Sequence, residues 1–395
     1  MPDINFMTPE LMWPLAIALT WLAGEFLYRW TGLPRISSYG VCGFTLANVE
    51  WGILTLPDNS SLLLMANVAF GLILFEFGYR INLRWMRTNP WIGITGLLES
   101  GLSFIVVFAI AQWYGSTNFT ALLLAALAMS TSPAGILRVI NEQRSAGQVT
   151  ERILHLTAIN CVLAVFTFKV VVAFWIFQSS GSILQAITGS LQVLVLSALL
   201  GAAFGILLPL VLRELGSLAR DATIAFAFAV IALVALTHVA KLSPILATLS
   251  FGLMARHRRV TLNQAQRNFG ALGDMLTVML FFYAASTLEW SRVWAGAGLG
   301  ILLVCARLLT KAVISTAFAR VSGITCRKGL LTGLALSPIS VFVILMLEQT
   351  RYLGIALVDE LTALAAMTLL LEIIGPLLTQ RALIWAQETP EHSEK

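Results

Sequence analysis

Charged side chains are scarce in this sequence: Asp, Glu, Lys and Arg make up 11% of 395 residues, whereas 58% are hydrophobic. That balance excludes a single soluble core, whose surface would need far more polar residues. Cysteine is sparse as well. Cys42, Cys161, Cys305 and Cys326 are scattered without any C-x-x-C spacing, which excludes a disulfide framework and a zinc site. The chain also lacks a nucleophile–base pair, a nucleotide-binding loop and a cluster of metal ligands, so it reads as neither an enzyme nor a cofactor protein. Its net charge is +5, yet Lys and Arg sit in short loops between apolar runs and form no continuous stripe, so no nucleic-acid partner is expected. No cleavable signal peptide is expected either, because the first apolar run follows the acidic MPDINFMTPE and not a basic stretch.

What the sequence has in abundance is long apolar runs. Mean hydropathy is +0.85, and runs of about 17–25 residues, enough to cross roughly 30 Å of hydrocarbon, lie near 11–28, 34–48, 60–80, 90–113, 118–138, 152–178, 182–212, 221–240, 243–256, 267–288, 292–320, 328–347 and 358–380. These predict an all-α polytopic membrane protein of about thirteen transmembrane helices. The basic residues test the count. The odd-numbered loops hold seventeen Lys and Arg, the even-numbered ones only Lys241, Arg292 and Arg351. Cytoplasmic loops are the basic ones, so the N-terminus is expected outside and the C-terminus inside, with QETPEHSEK as a short disordered tail.

Thirteen spans with one in the middle suggest an inverted repeat, six plus one plus six. The corresponding division is a first repeat over 1–178, a linking helix over 182–212, a second repeat over 221–380 and a cytoplasmic tail over 381–395, all in one transmembrane domain. Span 5 is interrupted at AMSTSPAGILR and span 12 at LALSPISVFV, and these two are repeat mates. Proline removes an amide donor and clashes with the preceding turn, and carbonyls freed in lipid must find partners or line a cavity. Interrupted helices at matching positions of two halves point to a transport site. Two simple proline kinks are the plainer alternative.

Several stretches carry a family resemblance: LILFEFGYRINLRWMR, AALAMSTSPAGILRVINE, SPILATLSFGLM, FGALGDMLTVMLFFYAASTLEW and RLLTKAVISTAFARVSGITCRKGLLTGLALSPISVFVIL. Together they resemble the monovalent cation/proton antiporter superfamily, with its sodium/proton exchanger fold, over most of the chain. The resemblance implies a homodimer in a bilayer, in the bacterial inner membrane, with a core that moves against a scaffold in elevator fashion and exchanges Na⁺ or K⁺ for protons. By position, Thr131 and Ser132 are the oxygen-bearing crossover beside Ser337 in the second break, and Thr157 and Asn160 line the ion site. Asn160-Cys161 occupies the family's Asn-Asp or Asp-Asp pair, whose second member binds cation and proton in turn.

Here that second member is a cysteine. A thiol is a weak acid and a soft ligand, poorly matched to ions that prefer oxygen, so Cys161 reads first as a small buried side chain packing like alanine. Another carboxylate must then serve. Ionisable groups within spans cost about 2.5–3.5 kcal/mol each on insertion scales and are functional suspects; the candidates are Glu76, Glu99, Asp274 and Glu372. Glu76 stands one turn before Arg80 and reads first as an ion pair. Asp274 lies near the basic cytoplasmic loop. Glu372, in span 13, is the repeat-mate substitute for the missing acid and the preferred candidate over Glu99. Lys169, Arg307 and Lys311 fall inside apolar runs and need counter-charges. The resemblance places Lys311 or Arg307 as the base that stabilises the broken helices. Lys169 lies roughly opposite Asn160 and about 13 Å further along its helix, and a salt bridge to Glu99 or Glu372 is expected of it. His155 reads as a hydrogen-bonded helix-end histidine, with proton relay as the alternative. Two functions stay open: a monovalent cation/proton antiporter with a displaced acid, or an exchanger scaffold re-purposed as sensor, partner subunit or carrier of another solute.

Overall fold

A computed structural model of the chain describes residues 9–46, 59–176, 183–214, 222–257, 263–286, 288–339, 343–344, 346–347 and 361–390. Among these there are fifteen helices and no strand: α1 (Pro9–Thr31), α2 (Arg35–Leu46), α3 (Asn59–Arg80), α4 (Leu83–Thr88), α5 (Pro90–Trp113), α6 (Asn118–Ala128), α7 (Pro133–Gln143), α8 (Gln148–Ile176), α9 (Ile183–Glu214), α10 (Ala222–Val239), α11 (Pro244–His257), α12 (Asn263–Ser286), α13 (Trp290–Ala317), α14 (Cys326–Ala335) and α15 (Thr362–Trp385). A helix satisfies its backbone internally, which is what hydrocarbon demands of a spanning segment. By length and composition, six candidate spans qualify among the described residues: Pro90–Trp113, Asn118–Gln143, Gln148–Trp175, Ile183–Leu212, Trp290–Ala317 and Thr362–Trp385. The outer faces keep large apolar side chains exposed, Leu199 and Phe228 among them, and Trp30, Trp113 and Trp294 stand 78%, 80% and 73% exposed near helix ends. Such a surface suits lipid, with indoles at the interfaces.

The helices pack as two bodies. In one, α5, α6, α8, α13, α14 and α15 surround the broken segments; in the other, α1–α3 pack with α9–α12. The seam between them is formed by α2 against α15, α9 against α8, and α3 against α7. Glycine permits close approach inside the second body: a Cβ on Gly252 would fall 2.0 Å from the Phe75 carbonyl oxygen, and one on Gly201 1.9 Å from that of Ala247. Small residues let membrane helices meet at backbone distance, where packing replaces the hydrophobic effect as the source of association.

Three features depart from the sequence reading. The basic loop after α3 contains a helix, α4, that apolar periodicity did not signal; Asn82 caps it by accepting from the backbone amides of Arg84 and Trp85 at 3.1 and 3.3 Å. The tail is ordered further than expected. Helix α15 runs to Trp385, and beyond it the Glu388 carboxylate is buried and accepts from Val149 N and Thr150 N at 2.8 Å each and from Thr150 Oγ1 at 2.9 Å. A carboxylate on the first amides of a helix satisfies orphan donors and complements the dipole, so the segment after α15 fastens the start of α8. The third departure concerns span boundaries, which move by a few residues, most visibly in α8 and α15.

Candidate functional site

Both expected breaks are present. Helix α6 ends at Ala128 and α7 begins at Pro133; α14 ends at Ala335, and residues 336–339 are not helical. Ser132 caps α7 through Oγ, which accepts from Gly135 N at 3.0 Å. The two breaks touch, since Ser132 N donates to the Pro338 carbonyl at 3.0 Å. Proline at 133 and 338 explains the interruptions, and the serines before them supply the capping oxygen.

Arg307 of α13 holds the crossing together. Its Nε donates to Ala128 O at 2.9 Å, Nη1 to Ser337 O at 2.6 Å, and Nη2 to Ser130 O at 2.6 Å, with Leu336 O and Pro338 O at 3.3 and 3.4 Å. These are the carbonyl ends of α6 and α14, where orphan acceptors and negative dipole ends collect. One fully buried guanidinium therefore serves two helix C-termini. The sequence reading required those carbonyls to find partners or line a cavity, and Arg307 is the partner they find. The Ser337 hydroxyl donates to Gly375 O of α15 at 3.0 Å.

One turn along α13, Lys311 reaches a different set of groups. Its ammonium is paired with Glu99 Oε1 of α5 and donates to Thr131 Oγ1 at 3.3 Å, and both charged side chains are 0% exposed. Thr131 Oγ1 also accepts from Asn160 Nδ2 at 3.1 Å, and Asn160 Oδ1 accepts from Ser100 Oγ at 2.8 Å. Glu99, Ser100, Thr131, Asn160 and Lys311 thus form one buried polar network. Around it, on the same three helices, Glu99 Oε2, Ser103 Oγ, Thr157 Oγ1 and Ser315 Oγ are buried without a hydrogen-bond partner among the described residues. Ser103 and Ser315 follow Glu99 and Lys311 by one helical turn, which sets them on the same faces. Unsatisfied buried oxygens cost stability, so a cluster of four calls for an explanation.

Cys161 takes no place among those oxygens. Its thiol is buried and donates to the Thr131 carbonyl at 3.2 Å, a carbonyl of the first break that Arg307 does not reach. A carboxylate at this position would meet that oxygen with negative charge. The cysteine is therefore a donor and not a stand-in for the missing acid.

The remaining candidates lie elsewhere. Glu76 is paired with Arg80 at 3.6 Å, as its spacing suggested. Glu372 of α15 is 2% exposed and faces α2, where a Cβ on Gly40 would sit 3.4 Å from its Oε2. The bridge expected from Lys169 to Glu99 or Glu372 is not formed: Glu99 is taken by Lys311, and Lys169, part-buried more than two turns beyond Asn160, makes no ion pair among the described residues. Sequence reasoning overvalued Lys169 because counting along one helix does not show which neighbouring helix its face meets. His155 ends as a structural residue, its Nδ1 2.7 Å from Glu151 O and its Nε2 3.2 Å from the Asn82 backbone. Asp274 carries a side chain outside the described residues. Ser100, Ser103 and Ser315 went unnoticed, although the first lies beside Glu99 and the others one turn from a buried charge.

A family model for the sodium/hydrogen exchanger, transmembrane, matches residues 15–385. The chain belongs to the sodium/hydrogen exchanger family. Among solved structures, the exchanger fold of this chain is similar to the sodium proton antiporter MjNhaP1 from Methanocaldococcus jannaschii at pH 8, with a TM-score of 0.65 and 16% identity over 97% of this chain and 98% of that one. A second MjNhaP1 structure, an electron-microscopy map, gives 0.64 and 15% over 96% and 95%. No curated protein matches the chain. At this identity the likeness is one of fold, and it covers both broken helices of the exchanger.

Proposed function

We propose that this exchanger carries a monovalent cation, Na⁺ or K⁺, against a proton across a lipid bilayer, with Glu99 as the carboxylate that the cation meets and Lys311 as the group that gives up the proton. The observation that carries the reading is the Lys311 ammonium, buried and shared between Glu99 Oε1 and Thr131 Oγ1. Family membership and the antiporter fold support the exchange.

Lys311 with its proton and Glu99 without one form a neutral pair, which is what a site closed to water tolerates. A cation arriving at Glu99 from either bath would take over the neutralising role. Lys311 can then leave as the free amine, its proton passing to that bath. One charge enters and one leaves, so the site crosses the bilayer with the same net charge in both loads. Glu99 Oε2, Ser103 Oγ, Thr157 Oγ1, Thr131 Oγ1 and Asn160 Oδ1 are hard oxygen donors of the kind alkali ions prefer. Arg307 carries no cargo in this scheme, and Cys161 keeps the first break closed.

The body containing this network moves against α1–α3 and α9–α12 along the seam, the two halves being 1–178 and 221–380 with 182–212 between them. The surplus of Lys and Arg in alternate loops supports an outside N-terminus and a cytoplasmic C-terminus, in a bacterial inner membrane. The family resemblance supports a homodimer.

The test is proton movement in proteoliposomes driven by Na⁺, K⁺ or Li⁺ gradients. Wild type moves protons with at least one cation, and Glu99→Gln abolishes it. No movement under any gradient would leave the re-purposed scaffold as the better account; undiminished movement in Glu99→Gln would remove Glu99 from the site.

A further inference from the structure

The Glu99–Lys311 network leaves one fully interior carboxylic group unused. Glu372 sits at the middle of α15, one turn before Pro376, and neither Oε1 nor Oε2 has a hydrogen-bond partner among the described residues. Thr368 Oγ1, one turn earlier on the same face, is buried and likewise unpartnered. The helix opposite belongs to the other body. There α2 offers Gly40, and next to the carboxylic group the Ser37 hydroxyl donates across the seam to Ile373 O at 2.8 Å.

Among the described residues, the charged and titratable groups on the helices packed against α15 are engaged elsewhere or lie off this face. On α2, Arg35 is bound to Glu25 at 2.7 Å and to Glu142 at 3.4 Å, the Tyr39 ring packs over Gly24 of α1, and Cys42 is a half-buried thiol. On α13, Arg307 holds the break carbonyls and Lys311 holds Glu99, while Arg292 pairs with Glu289 at 2.9 Å and Cys305 is exposed. On α7, Arg138 donates to Glu142 at 3.0 Å. On α14, Arg327 donates to Trp385 O, Lys328 stands 3.7 Å from Glu388, and Cys326 is half-buried. None of these is a counter-ion to Glu372. A carboxylate so placed would be a buried charge with no partner, whereas the carboxylic acid is neutral and tolerable there.

Resting on the exchanger reading above, we infer that Glu372 is a second proton-binding site, set in the seam between the two bodies, whose proton must be present for α15 and α2 to close on each other. It is separate from the cargo. Each crossing of the site carries α15 past α2, so every turnover passes through an arrangement in which Glu372 is interior and protonated. Loss of that proton, OH to O⁻ with the proton leaving to the adjacent bath, holds the seam apart and stops the cycle on its alkaline side. Gly40 is the α2 residue that the acid faces, and Ser37 marks the registry in which it is enclosed.

Glu372→Gln replaces the acid with a neutral group of the same shape, so the full chain keeps its packing. In proteoliposomes, wild-type turnover falls about tenfold per pH unit once this proton is lost, as for any single essential proton. Glu372→Gln turns over without that limb, and its number of protons exchanged per cation equals that of wild type. Identical alkaline limbs in the two proteins would overturn the inference, and so would a changed exchange ratio. A measurement that needs no transport accompanies it: infrared absorption of the detergent-solubilised full chain at neutral pH shows a protonated carboxylic C=O band that is absent in Glu372→Gln and retained in Glu99→Gln. Absence of any such difference overturns the inference even in a protein that moves no ions. Loss of transport in wild type with the band present would sink the exchange reading and leave the buried acid standing.

Discussion

Arg307→Leu tests the account of the crossing most directly. Three of its bonds, to Ala128 O, Ser130 O and Ser337 O, are 2.9 Å or shorter. Hydrogen bonds to charged groups contribute about 1.5–3 kcal/mol each, so removing the guanidinium forfeits about 4.5–9 kcal/mol and leaves carbonyls from both half-helices unsatisfied in a region without water. Against this stands the relief of no longer burying a charge, several kcal/mol. The net expected loss is about 3–5 kcal/mol, the size seen when one member of a buried charged arrangement is removed. Arg307→Lys keeps the charge but not the fork, reaches fewer of the carbonyls, and is expected to lose about half as much. The assay is reversible denaturant unfolding of the detergent-solubilised protein followed by tryptophan fluorescence, with proteolysis of α6–α7 as a local readout. A stability within about 1 kcal/mol of wild type for Arg307→Leu would refute the reasoning, since the carbonyls would then have another source of satisfaction.

Three other outcomes follow from the geometry. Cys161→Ser keeps a donor for the Thr131 carbonyl and retains transport, whereas Cys161→Ala loses about 1 kcal/mol of stability without losing exchange; abolished exchange in the alanine variant would return the thiol to the ion path. Glu99→Gln leaves Lys311 buried and unpaired and lowers unfolding stability by about 3–5 kcal/mol, and the double variant Glu99→Gln/Lys311→Met recovers part of that loss but not the transport. Glu388→Ala removes the carboxylate from Val149 and Thr150 and costs about 0.5–2 kcal/mol as a lost helix cap, visible as faster amide exchange at the start of α8 and nowhere in α13.

The fold was largely legible because a bilayer reduces the sequence code to run length, loop charge and proline. The Ser-Pro pairs at 132–133 and 337–338 announced both breaks. The close-packed glycines of the second body, α4 and the Glu388 cap were not legible: each depends on which helices are neighbours, and periodicity along one segment carries no such information. The same limit governed the buried bases. Lys169, Arg307 and Lys311 look equivalent in sequence, yet one reaches two broken helices, one reaches Glu99, and one has neither.

The Glu388 cap has a consequence for how the molecule is made. Helix α8 leaves the ribosome before the second half of the chain exists, yet its first amides are satisfied only by a residue that lies 238 positions further on. Until then the amino end of the helix bearing Asn160 must be served by water. A chain cut before residue 388 would therefore insert its helices and yet leave the start of α8 unfastened.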